Sequence, residues 1–230
     1  MAPRQAVAQP VCVTSPATTE TAVGTNAFAC GPNANATGNA ATAIGAHSTA
    51  NGANATVTGA FSTANGIDAT VMGASSTANG IGATATGEFS TANGGNAAAT
   101  GAGSTANGGN ATATGDFSTA NGLNATATGR FSQANGAQAT ASGAVSNANG
   151  ANVTATGEFS SANGTGATAT GQGSKANGQS GTATGLASFC ERGDRNGHWS
   201  GQHGKRRQRD GDWSKQQRER SERDCDGPKR

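Results

Sequence analysis

Ser118-Thr119-Ala120-Asn121-Gly122, then Leu123-Asn124, then Ala125-Thr126-Ala127-Thr128-Gly129: two five-residue segments, each closed by glycine and separated by a variable pair. Small residues alternate with Thr or Asn in both segments, and period two is the mark of a strand. Thr also favours strands, whereas a glycine every seven residues would cost a helix about 1 kcal/mol per Gly relative to Ala. Each segment is therefore read as a short strand, with the pair between segments as a corner.

Outward from this stretch the pattern does not lapse. Glycine recurs every seventh residue from Gly24 to Gly185, 24 times in all, and the two segment types alternate, so the structural unit is 14 residues. A fixed internal period decides the architecture before any single residue does. One coil is two strands and two corners, and coils of equal length stack in register because each backbone N–H and C=O meets its equivalent one coil away. Residues 24–185 make just under twelve coils, a rod about 55 Å long at roughly 4.8 Å per coil. The strands are expected to occupy the five residues ending at each glycine. The positions two and four before it, mostly Ala or Ser, face inward, and Thr and Asn face outward.

The glycines Gly59, Gly66, Gly73, Gly80, Gly87, Gly94, Gly101, Gly108, Gly115, Gly122, Gly129, Gly136, Gly143, Gly150, Gly157, Gly164, Gly171 and Gly178 are read as turn glycines. They are expected to supply the positive φ that a two-residue corner needs, with Asn before half of them as a second turn former. The corners differ in composition. Small or polar pairs such as Ala53-Asn54 and Gly109-Asn110 follow the Asn-Gly segments, while Phe61, Phe89, Phe117, Phe131 and Phe159 follow the others. The spacings among these Phe are multiples of 14, which puts all five on one edge of the rod as a ligand-binding or subunit-contact edge.

Composition agrees with a narrow roll. The 230 residues include 37 Gly, no Tyr and two Trp, so a core of large interlocking side chains is out of reach. A methyl-lined interior contributes about 0.8 kcal/mol per buried CH₂-sized group against roughly 1 to 2 kcal/mol of backbone entropy per residue, so association of several rolls is expected.

At Ala41-Thr42-Ala43-Ile44-Gly45 and throughout 24–185, the sequence resembles the YadA-like heads of trimeric autotransporter adhesins, whose 14-residue repeats carry Ser-Val-Ala-Ile-Gly-type segments. The resemblance implies a left-handed parallel β-roll packed as a homotrimer. It also implies display at the cell surface or outer membrane, and attachment to host extracellular matrix or cell-surface ligands. No catalytic residues are implied. The family's coiled-coil stalk and membrane β-strands are not recognised in this sequence, nor is a signal peptide or a membrane-spanning segment.

The expected organisation is an irregular segment 1–23, a β-roll head 24–188 and a disordered basic tail 189–230. A second reading of the same fold stacks the Thr-x-Thr pairs into hydroxyl ranks, as in ice-binding solenoids. Enzyme readings lack parts: His47, His198 and His203 are the only histidines, and Cys12, Cys30, Cys190 and Cys225 contain no Cys-x-x-Cys pair. No metal or other cofactor is expected. Sequons such as Asn54-Ala55-Thr56 and Asn124-Ala125-Thr126 follow from the repeat alphabet. Nucleic acid is not an expected partner, since eight acidic residues interrupt the twelve basic ones of the tail, and no membrane contact is expected.

The tail keeps the 14-residue rhythm in another alphabet, as at Trp199 and Trp213 or Arg195, Arg209 and Arg223. Phe189-Cys190-Glu191-Arg192 can be encoded TTC TGC GAA CGG, and loss of the first base gives Ser-Ala-Asn-Gly. Residues 189–230 are accordingly read as the same repeat translated out of frame.

Overall fold

A computed structural model describes residues 11–12, 19–191 and 225–226. Among them every regular element is a β-strand, and the strands form two parallel sheets of fourteen and thirteen strands. Sequence neighbours fall alternately in the two sheets, as expected of a solenoid of about twelve coils. In the first sheet Thr112–Thr114 lies between Ala98–Thr100 and Thr126–Thr128. In the second, Thr119–Ala120 lies between Thr105–Ala106 and Gln133–Ala134. Partners along the roll are 14 residues apart, so identical segments stack on identical segments.

The inward row is the expected one. Ala111, Ala113, Ser118 and Ala120 are fully buried, and the same positions are buried coil after coil. Among the described residues Val57, Val71 and Val153, with Cys190 at the C-terminal end, enlarge the methyl-lined interior. Ser118 Oγ donates to Gly115 O at 2.8 Å, and most of the other buried serines make the equivalent bond within their own turn, while Ser188 Oγ at the end of the roll has no partner. A buried hydroxyl left without a partner would cost about 1 to 3 kcal/mol.

The strands are shorter than the five-residue segments, two or three residues each. The final glycine opens a four-residue turn instead of closing the strand. Ala111 N donates to Gly108 O at 3.1 Å and Ser118 N to Gly115 O at 3.2 Å, which closes the chain over the two corner residues. The ladder also runs past residues 24 and 188. Thr21–Ala22 pairs with Asn35–Ala36, and Phe189–Glu191 pairs with Lys175–Asn177. Further on, Cys225–Asp226 pairs with Ala183–Thr184, three repeat lengths away in sequence. Cys30 and Cys190, near opposite ends of the roll, are both disulfide-bonded. The out-of-frame reading of 189–230 falls mostly on 192–224 and 227–230, which lie outside the described residues.

Candidate functional site

The corners carry the variable side chains, and their backbone corrects the reading of the glycines. In every turn of the described roll the second corner residue is left-handed. Twenty of these are non-glycine, from Asn26 (φ 60°) to Ala187 (φ 50°), and Gly82, Gly103, Gly166 and Gly173 complete the series. A four-residue turn with positive φ at its third residue has the signature of type II, where Gly or Asn is preferred. Among the repeat glycines, Gly59, Gly73, Gly87, Gly101, Gly115, Gly129, Gly143, Gly157, Gly164, Gly171 and Gly178 do take positive φ. Gly66, Gly80, Gly94, Gly108, Gly122, Gly136 and Gly150 do not.

What those from Gly59 to Gly171 share is a close approach. A Cβ on Gly94 would run into the carbonyl of Gly108, and one on Gly87 would lie 2.7 Å from the carbonyl oxygen of Gly101. The obstacle is the backbone of the next coil, which cannot swing aside. Glycine is required here because coils stack at strand spacing, whatever φ the residue adopts.

All five Phe of the aromatic edge stand at the left-handed position, with φ of 56–57°. They are exposed, from 65% for Phe61 to 42% for Phe131. Phe117 stacks on Phe131 with ring centroids 5.3 Å apart, and Phe61 stacks on His47 at 5.0 Å. Gly103 leaves room for the Phe117 ring, which lies 2.8 Å from where a Cβ would stand. Arg130 places its guanidinium 4.7 Å from the centre of the Phe131 ring. Glu88, Asp116 and Glu158 directly precede Phe89, Phe117 and Phe159, so the edge mixes aromatic faces with carboxylates. Sequence spacing foresaw the alignment of the Phe. It did not foresee their backbone conformation or the inclusion of His47 and Val145 in the row.

The two sheet faces differ. Outward positions of the first sheet carry Thr, Ser, Ala, Ile44 and Met72 and no charge between Thr42 and Thr184. Thr128 Oγ1 to Ser142 Oγ, 3.1 Å, is a hydroxyl contact between coils on this face. The second sheet instead presents a row of Asn joined by amide hydrogen bonds from coil to coil, a feature no single repeat could reveal. Among the described residues no cluster of three or more His, Cys, Asp or Glu is placed to hold a metal ion. No helix there is long and apolar enough to cross a membrane.

Comparison with known proteins places this geometry. No curated protein sequence matches the chain. Among solved structures, the chain is similar to the collagen-binding domain of the Yersinia adhesin YadA, with 22% identity, 87% of each chain covered and a TM-score of 0.38. The YadA head domain repeat matches residues 22–48, 45–69, 64–87, 72–97, 99–125, 120–146 and 162–188. These segments follow the roll from its second-sheet strand at Thr21–Ala22 to its last complete turn and span well over half of the sequence, so the chain belongs to the family of YadA head domain repeats.

Proposed function

We propose that the roll is the adhesive head of a trimeric surface adhesin and attaches to host matrix or cell-surface ligands through its aromatic edge. The row of Phe side chains at left-handed positions carries this reading. An L-residue there costs about 1 to 2 kcal/mol, and Phe has no local hydrogen bond to offset that cost, whereas Gly pays none and Asn less. Asn33 occupies the same row at φ 58° and Gly173 at φ 66°, so cheaper residues fit. Five exposed rings placed at a costly position support a role in contact.

Attachment of this kind is multivalent. Near-identical coils engage a repetitive ligand weakly at each site and strongly in sum. The test is binding of the purified chain to a panel of immobilised matrix proteins, beside a Phe89→Ser/Phe117→Ser/Phe159→Ser variant. Loss of binding with an unchanged circular dichroism spectrum supports a ligand edge. Loss of self-association instead makes the edge a subunit contact.

The face proposed for self-association is the first sheet, because it is flat, uncharged and rich in methyl groups, and a single roll buries little apolar area. Lysine at Thr112 and Thr114 then places charge in the contact. The expected outcome is a shift from trimer to monomer in light scattering with the fold intact, and an unchanged mass would assign the contact elsewhere. For the tail, the out-of-frame origin of 189–230 is a proposal that the gene sequence tests: removing one base near codon 189 restores Ser-Ala-Asn-Gly repeats, or the idea fails.

A further inference from the structure

The Asn row of the second sheet is continuous. Thr37 Oγ1 donates to Asn51 Oδ1 at 2.9 Å, and Asn51 Nδ2 donates to Asn65 Oδ1 at 2.7 Å. The same amide bond recurs at each coil until Asn163 donates to Asn177, at 2.7–3.0 Å throughout and always toward the C-terminal end. Stacked Asn ladders of this type add to the cohesion of in-register parallel strands.

Every one of these ten Asn is followed by glycine. From Gly52 to Gly164 that glycine is not replaceable, since any side chain would strike the carbonyl of the next coil. The repeat thus carries, ten times, the dipeptide most open to deamidation. In a flexible chain the Gly nitrogen loses its proton and attacks Asn Cγ, forming the C–N bond of a succinimide. The Cγ–Nδ2 bond breaks and ammonia leaves, and water then opens the ring to Asp or isoAsp. Glycine permits this because no Cβ hinders the approach.

In the roll the atoms that must move are held. From Asn51 to Asn163, Nδ2, the leaving group, is bonded to the next coil, and in all ten Asn, Asn177 included, Oδ1 is bonded to the previous one. Swinging Cγ back over the Gly nitrogen breaks both bonds. At the last rung Gly178 N–H itself donates to Asn163 O at 2.7 Å, a further restraint on the nucleophile.

We propose that the Asn row is a latent modification site, ten Asn-Gly pairs kept from succinimide formation by a shared amide ladder and converted locally where a rung opens. The outward positions of this face carry no acidic residue from Thr21 to Asn177. Each conversion therefore adds a negative charge at that coil, which makes the coil anionic from Asn51 to Asn163 and opposes Lys175 at Asn177, and an isoAsp also lengthens the backbone by one carbon and disturbs the register.

The experiment incubates the full chain in mildly alkaline buffer, folded and in urea, and follows each Asn-Gly pair by peptide mapping with isoaspartate detection. Folded chains are expected to deamidate roughly tenfold more slowly, or slower still, at every interior rung. Asn107→Ala removes the acceptor of Asn93 and the donor of Asn121. Those two pairs should then convert severalfold faster, while those at Asn51 and Asn163 keep their rates. Asn107→Thr supplies a hydroxyl as Thr37 does, and should return Asn121 toward its original rate. Equal rates in folded and unfolded chains would overturn the proposal, and so would an Asn107→Ala variant in which all pairs accelerate alike.

Discussion

The two corners of a coil share one backbone and use it differently. Both place a left-handed residue at the second position of the turn. From residue 47 to residue 131, that residue on one edge is Asn54, Asp68, Gly82, Asn96, Asn110 or Asn124, while on the other Ser75 and Gly103 are interspersed with His47, Phe61, Phe89, Phe117 and Phe131. The first set suits the conformation, because Gly has no Cβ and Asn tolerates φ near +55°. The Phe residues of the second do not. The difference teaches that one edge is built for the turn, while the other accepts strain to display rings.

The largest expected effect tests the part common to both corners. Gly94→Ala puts a methyl into the Gly108 carbonyl, and the coil cannot restack without backbone movement. We expect a loss of roughly 3 kcal/mol or more, seen as a collapse of the thermal melting temperature. Gly95→Ala, one residue on, meets nothing closer than Ile81 O at 3.9 Å and does not need positive φ. It should be neutral or stabilising by about 0.4 to 1 kcal/mol, because the unfolded chain loses freedom. If both substitutions behave alike, glycine content rather than coil contact governs the stack.

Exchanging residues between the edges sharpens the contrast. Phe89→Asn, Phe117→Asn and Phe159→Asn together should raise stability by up to about 1 kcal/mol per site while lowering matrix binding roughly tenfold or more. The reciprocal Asn96→Phe should cost about 1 kcal/mol and add no binding, since a lone ring on the other edge joins no row. Thermal melts with a solid-phase binding assay read both quantities at once. A variant set in which stability and binding fall together would make the Phe edge structural.

The smallest effect is that of one ring. Phe61→Ala should reduce binding only severalfold in a multivalent head. Abolition by this single change would mean a localised pocket in place of a repeated edge.

Much of the fold was legible because its cause is local and repeated. The seven-residue glycine register, the alternation of segments such as Ala111 to Gly115 and the small inward residues together specify a parallel roll, since a one-residue slip would turn every Ala outward. The alignment of Phe61, Phe89, Phe117, Phe131 and Phe159 follows from the same arithmetic. Two parts of the site were not legible. Nothing about Phe or Val signals positive φ, which is imposed by closing a two-residue corner between stacked strands. The strands proved shorter than their segments for a related reason, since the turn begins at the glycine itself.

The sequence by itself determined the period, the inward face and the membership of one edge, because these depend only on spacing along the chain. Only the tertiary structure decided why the repeat glycines from Gly24 to Gly171 are glycine, since the atom each must avoid belongs to a residue 14 positions away. Likewise, Asn51 through Asn177 become a single amide row only when coils stack at hydrogen-bonding distance. A side-chain amide finds its partner across the stack, and that partner is set by the spacing of the coils rather than by its neighbours in sequence.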